Sequence, residues 1–164
     1  MNAISLLKRQ HKEVEKLFKK SERLEAEDAE GKVECFEEIA DQLAAHAEIE
    51  EKYFYPASKL SDTASLLEEA VQDHLKMKRL IASIMEHEDP SSEEFDAGLK
   101  ELKKSVLHHV REEERQLMPR VSKLLTKQEL DALGEEMEEE FEELLQQEPR
   151  REVLSQTLQP ASLD

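Results

Sequence analysis

Two short stretches of this chain carry the side chains best suited to chemistry. His46-Ala47-Glu48-Ile49-Glu50 places an imidazole and a carboxylate one helical turn apart, ahead of Pro56. His109-Val110-Arg111-Glu112-Glu113 repeats the device ahead of Pro119. An offset of 63 residues superposes the two copies and also carries His11 onto His74. Residues four apart on a helix stand over one another, so His46 with Glu50, and His109 with Glu113, present their side chains together. A buried imidazole beside a buried carboxylate is costly unless both are satisfied, and a shared metal ion satisfies both. One such pair alone is ordinarily a solvated or hydrogen-bonded helix pair. Two pairs with two further histidines in register point to metal. The candidate ligands are His11, His46, Glu50, His74, His109 and Glu113.

Six ligands exceed the four of a closed zinc site and suit two ions bridged by Glu50 and Glu113. Nitrogen and oxygen donors without a thiolate fit iron, with manganese or zinc as alternatives. Two carboxylate-bridged irons leave a coordination position for dioxygen, peroxide or nitric oxide. Apolar neighbours such as Phe36, Phe54, Met77, Leu102 and Val106 are expected to limit water access. Glu51 and Glu112 serve as comparators: removing Glu50 or Glu113 is expected to lower metal occupancy more.

The elements that position these residues are helices. Leu7, His11, Val14 and Phe18 define an inward stripe from about Ser5 to Glu25, and Asp28 to Gly31 reads as a turn. Phe36, Ile39, Leu43, His46 and Glu50 define a second helix over Lys32 to Phe54, which Pro56 is expected to stop or bend. Leu67, Val71, His74, Met77 and Ile81 define a third from near Ser61-Asp62 to Glu86. The break Glu88-Asp89-Pro90-Ser91-Ser92 follows, with serines placed to cap a fourth helix that ends near Pro119. Thr126 and Glu129 form a capping box, with Leu125 and Leu130 as a hydrophobic staple, for a fifth helix over Lys127 to Gln147.

These lengths predict an all-α fold: an up-down four-helix bundle of two hairpins, plus a C-terminal fifth helix. The expected division is a cation-binding bundle over 1–122 and a C-terminal helix and tail over 123–164. The apolar stripe of the fifth helix calls for a cover, either the bundle exterior or a second copy of the chain in a homodimer. Beyond Pro149 the pattern fades, into a strap or disorder.

Forty acidic residues against 23 basic ones give a formal net charge of −17. That disfavours nucleic acid and anionic membranes as partners. A single cysteine, Cys35, excludes an intrachain disulfide, and it stands about 16 Å along the helix from His46. No signal-like or membrane-spanning stretch is evident, so the cytoplasm is the expected compartment. His108, about 100° around the helix from His109, reads as a rim residue, and His87 as a helix-end imidazole. Tyr53 and Tyr55 read as packing residues able to donate a hydrogen bond near the ligands.

The chain resembles the hemerythrin-like family, the cation-binding domains named for their His-His-Glu motifs. The resemblance rests on His11, His46 with Glu50 and Pro56, His74, and His109 with Glu113 and Pro119, and spans roughly residues 5 to 120. It implies a non-haem di-iron bundle, with an oxo or hydroxo bridge, that binds or senses oxygen, nitric oxide, peroxide or iron. The alternatives it leaves are a di-iron enzyme that removes peroxide or nitric oxide, an iron storage or repair module, and a helical interaction protein without metal turnover. Oxygen-carrying members have a further histidine one turn after the third-helix histidine; here that position is Lys78. Glu15, one turn after His11, is a candidate to replace the missing donor.

Overall fold

Asn2 starts the first helix by accepting the Ser5 amide on its side chain at 2.8 Å, and α1 then spans Ala3–Glu22. This is a computed structural model, and it describes residues 1–87 and 89–163. Asp28 accepts the Gly31 amide and so begins α2, Ala29–Ile49. The expected turn at Asp28 to Gly31 is therefore the first turn of a helix, because a capping carboxylate outweighs the glycine. α3 spans Ala64–Glu86, and α4, capped by Ser92, spans Glu93–Glu112. Of the expected break between them, Glu88 lies outside the described residues. The capping box at Thr126 and Glu129 forms in full and opens α5, Lys127–Leu145. A short α6, Arg150–Val153, closes the series.

Pro56 is followed by the end of its helix at Ala57, while the helix through Pro119 runs on to Leu124. α2 continues through a π-helical turn, Glu50–Phe54, into Tyr55–Ala57; α4 continues through Glu113–Leu117 into Met118–Leu124. The Tyr55 amide donates to the Glu50 carbonyl and the Met118 amide to the Glu113 carbonyl, each five residues back. Proline has no amide to give and its ring crowds the carbonyl four residues earlier. Opening the preceding turn by one residue accommodates that defect without a break. Such turns recur at functional sites, and here both begin at a candidate ligand.

α1 packs on α2 and α3 on α4, giving the four-helix bundle, and the described residues form helices and turns without a strand. α5 lies across α1 and α2, so the bundle exterior covers its apolar stripe. Leu6, Leu7, Ile49 and Phe54 meet Met137 and Phe141 in one apolar cluster; Val14, Phe18, Phe36, Ile81 and Phe95 form another. Each fully buried Leu, Ile or Phe contributes about 1.5–3 kcal/mol. Along every bundle helix the histidine falls between the two clusters. α5 also fits the N-terminus closely: a Cβ on Gly134 would stand 2.2 Å from the Met1 carbonyl oxygen.

Past Pro149 the chain forms a strap. Glu148 adopts the left-handed conformation (φ 52°) and turns the chain back, so that the Arg150 guanidinium meets Asp41 and Glu37, both at 2.7 Å. Arg79 donates to the Thr157 carbonyl at 2.8 Å, and Lys59 to the Leu163 carbonyl. Among the described residues no helix is long and apolar enough to cross a membrane.

Candidate metal centre

The helical stripes bring all six candidate residues to one level of the bundle. Oxygen or nitrogen atoms of His11, His46, Glu50 and Glu113 lie within 4.8 Å of one another, and those of Glu50, His74 and His109 form a second such group. Glu50 is common to both. Its Oε1 stands 3.0 Å from His46 Nε2 and 3.1 Å from His74 Nε2, which spans the hairpins. Glu113 does the converse, with Oε1 3.3 Å from His11 Nε2 and Oε2 3.3 Å from His109 Nε2. The repeat extends to ring geometry. His11 with His46 and His74 with His109 both meet edge-on at 62°, with centroids 4.9 and 4.7 Å apart.

Behind each imidazole stands an outer partner on its Nδ1. Gln10 Oε1 is 2.7 Å from His46, Glu51 Oε2 is 2.7 Å from His74, Asp73 Oδ2 is 3.4 Å from His109, and Glu114 Oε2 is 3.7 Å from His11. Such partners set the tautomer and direct Nε2 toward a metal. They obey the same 63-residue offset, Gln10 onto Asp73 and Glu51 onto Glu114. Glu51 is thus no neutral comparator: it binds His74 and is in turn held by Lys78 Nζ at 3.2 Å. The signal was present in the repeat, hidden because polar residues beside a ligand read as surface.

Tyr55 enters the cluster more deeply than a packing residue. Wholly buried, its hydroxyl donates to Glu113 Oε2 at 2.7 Å and lies 3.2 Å from His74 Nε2 and 3.4 Å from His109 Nε2. The repeat gives Met118 at the equivalent position, so the hydroxyl marks one half only. Glu15, by contrast, faces solvent and pairs with Lys19 at 3.4 Å. Four residues advance a helix by 400°, and the extra 40° carries it past the inner face. His108 lies on the rim, 3.9 Å from Glu69, and His87 is exposed at the end of α3. Cys35 is buried and belongs to none of the candidate ligand groups. Tyr53 hydrogen-bonds to Glu140 on α5 at 2.5 Å, tying α5 to α2.

The charge state follows from this crowding. Burial lowers His11, but the Glu113 and Glu114 carboxylates override it and raise the imidazole to about 9. His74 and His109 are likewise raised against burial, chiefly by Glu50 with Glu51 and by Glu113 with Asp73. His46 is lowered by burial, only partly opposed by Glu50. Burial works to raise Glu50, yet His46, Glu113 and His109 hold it well below the usual carboxylate range. The buried carboxylates thus favour positive charge beside them, the role a cation would take.

Whether the residues fit a metal is decided by their unmet bonding. Six buried side-chain atoms lack a hydrogen-bond partner among the described residues: Gln10 Nε2, both ring nitrogens of His11, His46 Nε2, Glu50 Oε2 and Glu113 Oε1. All belong to this cluster, and four of them, on His11, His46, Glu50 and Glu113, are lone-pair donors of the kind metals take. The residues fit a cation.

Three comparisons bear on this geometry. The pattern of the Hemerythrin HHE cation binding domain matches residues 2–121. A protein named DNA nickase from Nostoc sp. (strain PCC 7120 / SAG 25.82 / UTEX 2576) is 30% identical over 131 residues, 80% of this chain and 36% of the relative. The chain thus spans about a third of that relative's length. The crystal structure of a hemerythrin HHE cation binding domain-containing protein from Mycobacterium kansasii superposes with a TM-score of 0.77 at 26% identity, covering 90% of this chain and 89% of the other. With the matched pattern extending over both hairpins and their ligand motifs, this chain belongs to the hemerythrin HHE cation-binding domain family.

Proposed function

We propose that the cluster holds two iron ions bridged by Glu50 and Glu113, and that the protein binds or senses a small oxidant (oxygen, nitric oxide or peroxide) or iron itself. The observation that carries this reading is the concentration of partnerless buried polar atoms on His11, His46, Glu50 and Glu113. His11, His46, Glu50 and Glu113 would hold one ion, and Glu50, His74, His109 and Glu113 the other. Tyr55 stands where it can supply the donor that Lys78 does not. Iron so bound would supply open, redox-active coordination positions for a diatomic ligand or peroxide. The chain's part is to aim the four Nε2 atoms through Gln10, Glu51, Asp73 and Glu114, and to keep bulk water out with Phe54, Leu117 and Val106.

Elemental analysis on anaerobically purified protein, with a visible spectrum before and after air, tests this. About two irons per chain and an air-dependent band are expected for such a six-ligand set. One zinc, or none of these metals, overturns it. The buried Tyr55 hydroxyl favours a second reading, turnover of peroxide or nitric oxide, since it holds a proton within 2.7 Å of Glu113. That reading requires more than one equivalent consumed per centre with reductant present. The nicking activity named for the Nostoc protein belongs to a much longer chain, and a net charge of −17 gives these residues no attraction for a phosphate backbone.

A further inference from the structure

The outer sides of α1 and α5 carry opposite charge. At about 100° per residue, Lys8, Lys12, Lys16, Lys19, Lys20 and the capping Arg23 fall within about 120° of one another, on the side of α1 turned away from His11, Val14 and Phe18. All six are exposed. Lys16 and Lys19 pair with Glu13 and Glu15 of their own helix, and among the described residues Lys8, Lys12, Lys20 and Arg23 form no ion pair. A hollow of about 410 Å³ opens among Lys16, Lys19, Lys20, Arg23 and Leu24. Such a stripe stands out in a chain of net charge −17.

α5 is the reverse. Its apolar side lies on the bundle through Met137 and Phe141, and the opposite side presents Glu135, Glu136, Glu139, Glu142 and Glu143, all exposed. Among the described residues none of these five glutamates pairs with a cation. The two helices lie side by side, and Arg9 at the edge of the basic stripe joins Glu138 at the edge of the acidic one at 2.8 Å. The stripes are thus neighbours on one face of the molecule.

A face with a stripe of each sign is complementary to itself. Under a two-fold axis running between α1 and α5, each α1 meets the α5 of a second copy, and the same contact is made twice. We propose that this face is a salt-sensitive homodimer interface, in which the basic stripe of each chain docks on the acidic stripe of the other. At about 0.15 M salt the screening length is about 8 Å, so the stripes in contact outweigh the more distant charges that make each chain acidic. Exposed ion pairs are individually weak, so the dimer is reversible. A nucleic-acid strand laid along α1 would run beside the same glutamates, which disfavours it as the occupant. Any other acidic protein would have to bring a stripe that this chain already carries. No metal is needed for the contact.

Sedimentation equilibrium of the full chain over a concentration series tests this. At about 0.15 M salt the mass should rise from 19.0 kDa toward that of two chains; at about 1 M salt, where screening shortens to about 3 Å, association should weaken at least about tenfold. Lys16→Glu/Lys20→Glu/Arg23→Glu, and separately Glu135→Lys/Glu139→Lys/Glu142→Lys, should each give a monomer, because like stripes then face each other. Both sets alter exposed side chains alone, and circular dichroism checks their helix content. Mixing the two variants should restore a dimer, since each altered stripe meets the opposite charge on the other chain. The single changes Lys20→Glu and Glu139→Lys, milder for the fold, should each weaken association about threefold or more. A wild type that stays monomeric overturns the interface. So does a dimer indifferent to salt or to these substitutions, which would lie elsewhere on the surface, and so does a mixture of folded variants that fails to pair.

Discussion

The two hairpins of this protein carry the same candidate inner ligands and different surroundings. Each offers two histidines and a glutamate at matching positions, edge-on imidazoles, a π-helical turn beginning at the glutamate, and outer partners at corresponding positions. What differs is everything one layer out. The first hairpin lies under α5, with Gln10 as a neutral partner; the second is open at Glu69 and His108, with Asp73 as a charged one. Tyr55, from the first hairpin, reaches the imidazoles of the second, while its counterpart Met118 brings no hydroxyl. The duplicated histidines and glutamates give both halves the same candidate donor set, and unduplicated covers make the two halves unequal in access and charge.

The sharpest way to break the equivalence is at the shared carboxylates. Glu50→Ala and Glu113→Ala should each lower metal affinity by more than the roughly 10- to 100-fold typical of outer partners, measured by competition with a chelator. Because Glu50 touches His46 and His74, its loss should empty both halves. Retention of one ion would mean the halves are independent. A pH titration comes next. His11 is raised to about 9 from 6.5, so its protonated form stabilises the metal-free fold fully below about 6.5, and that contribution is lost as pH rises through about 9. The loss is at most about 3 kcal/mol. Thermal melts of metal-free protein should fall across that window, while metal-loaded protein, where the proton is already displaced, should not. Equal slopes would remove His11 from the ligand set.

Smaller effects compare the outer partners. Glu51→Gln should weaken metal binding about 10- to 100-fold, and Glu114→Gln less, because Glu51 sits 2.7 Å from its imidazole and Glu114 3.7 Å. Matching losses would restore the symmetry that the distances deny. Last, Gly134→Ala should destabilise the fold by about 1–3 kcal/mol, since the new methyl collides with the Met1 carbonyl and loosens α5 from the first hairpin. Chemical denaturation measures it. An unchanged midpoint would mean that the N-terminus gives way freely.

Much of this was legible in the amino-acid order. The 63-residue offset located every inner candidate, and the 3.6-residue stripes gave helices within a few residues of those observed, including the capping box at Thr126. The outer partners obey the same offset but escaped notice, because a glutamine or glutamate next to a ligand has no periodicity of its own. Pro119 misled more actively. A proline inside a helical pattern signals a stop, and nothing local reveals that the preceding turn will widen instead. Glu15 failed on helix phase: a one-turn step overshoots by about 40°, enough at the edge of a bundle to face solvent.

The widened turns also bear on chain length. A turn closed over five residues in place of four holds one residue more than a regular helix needs. In α2 that surplus sits between Glu50 and Tyr55, so it sets the angle between the Glu50 carboxylate and the buried phenol. Five regular α-helical steps sweep about 500°, so winding the same residues as α-helix would leave Glu50 in place and rotate everything downstream by about 100°. The tyrosine would swing off the cluster with no ligand altered. The contact between the two hairpins at Tyr55 is thus encoded by how the turn winds as well as by which residues it holds.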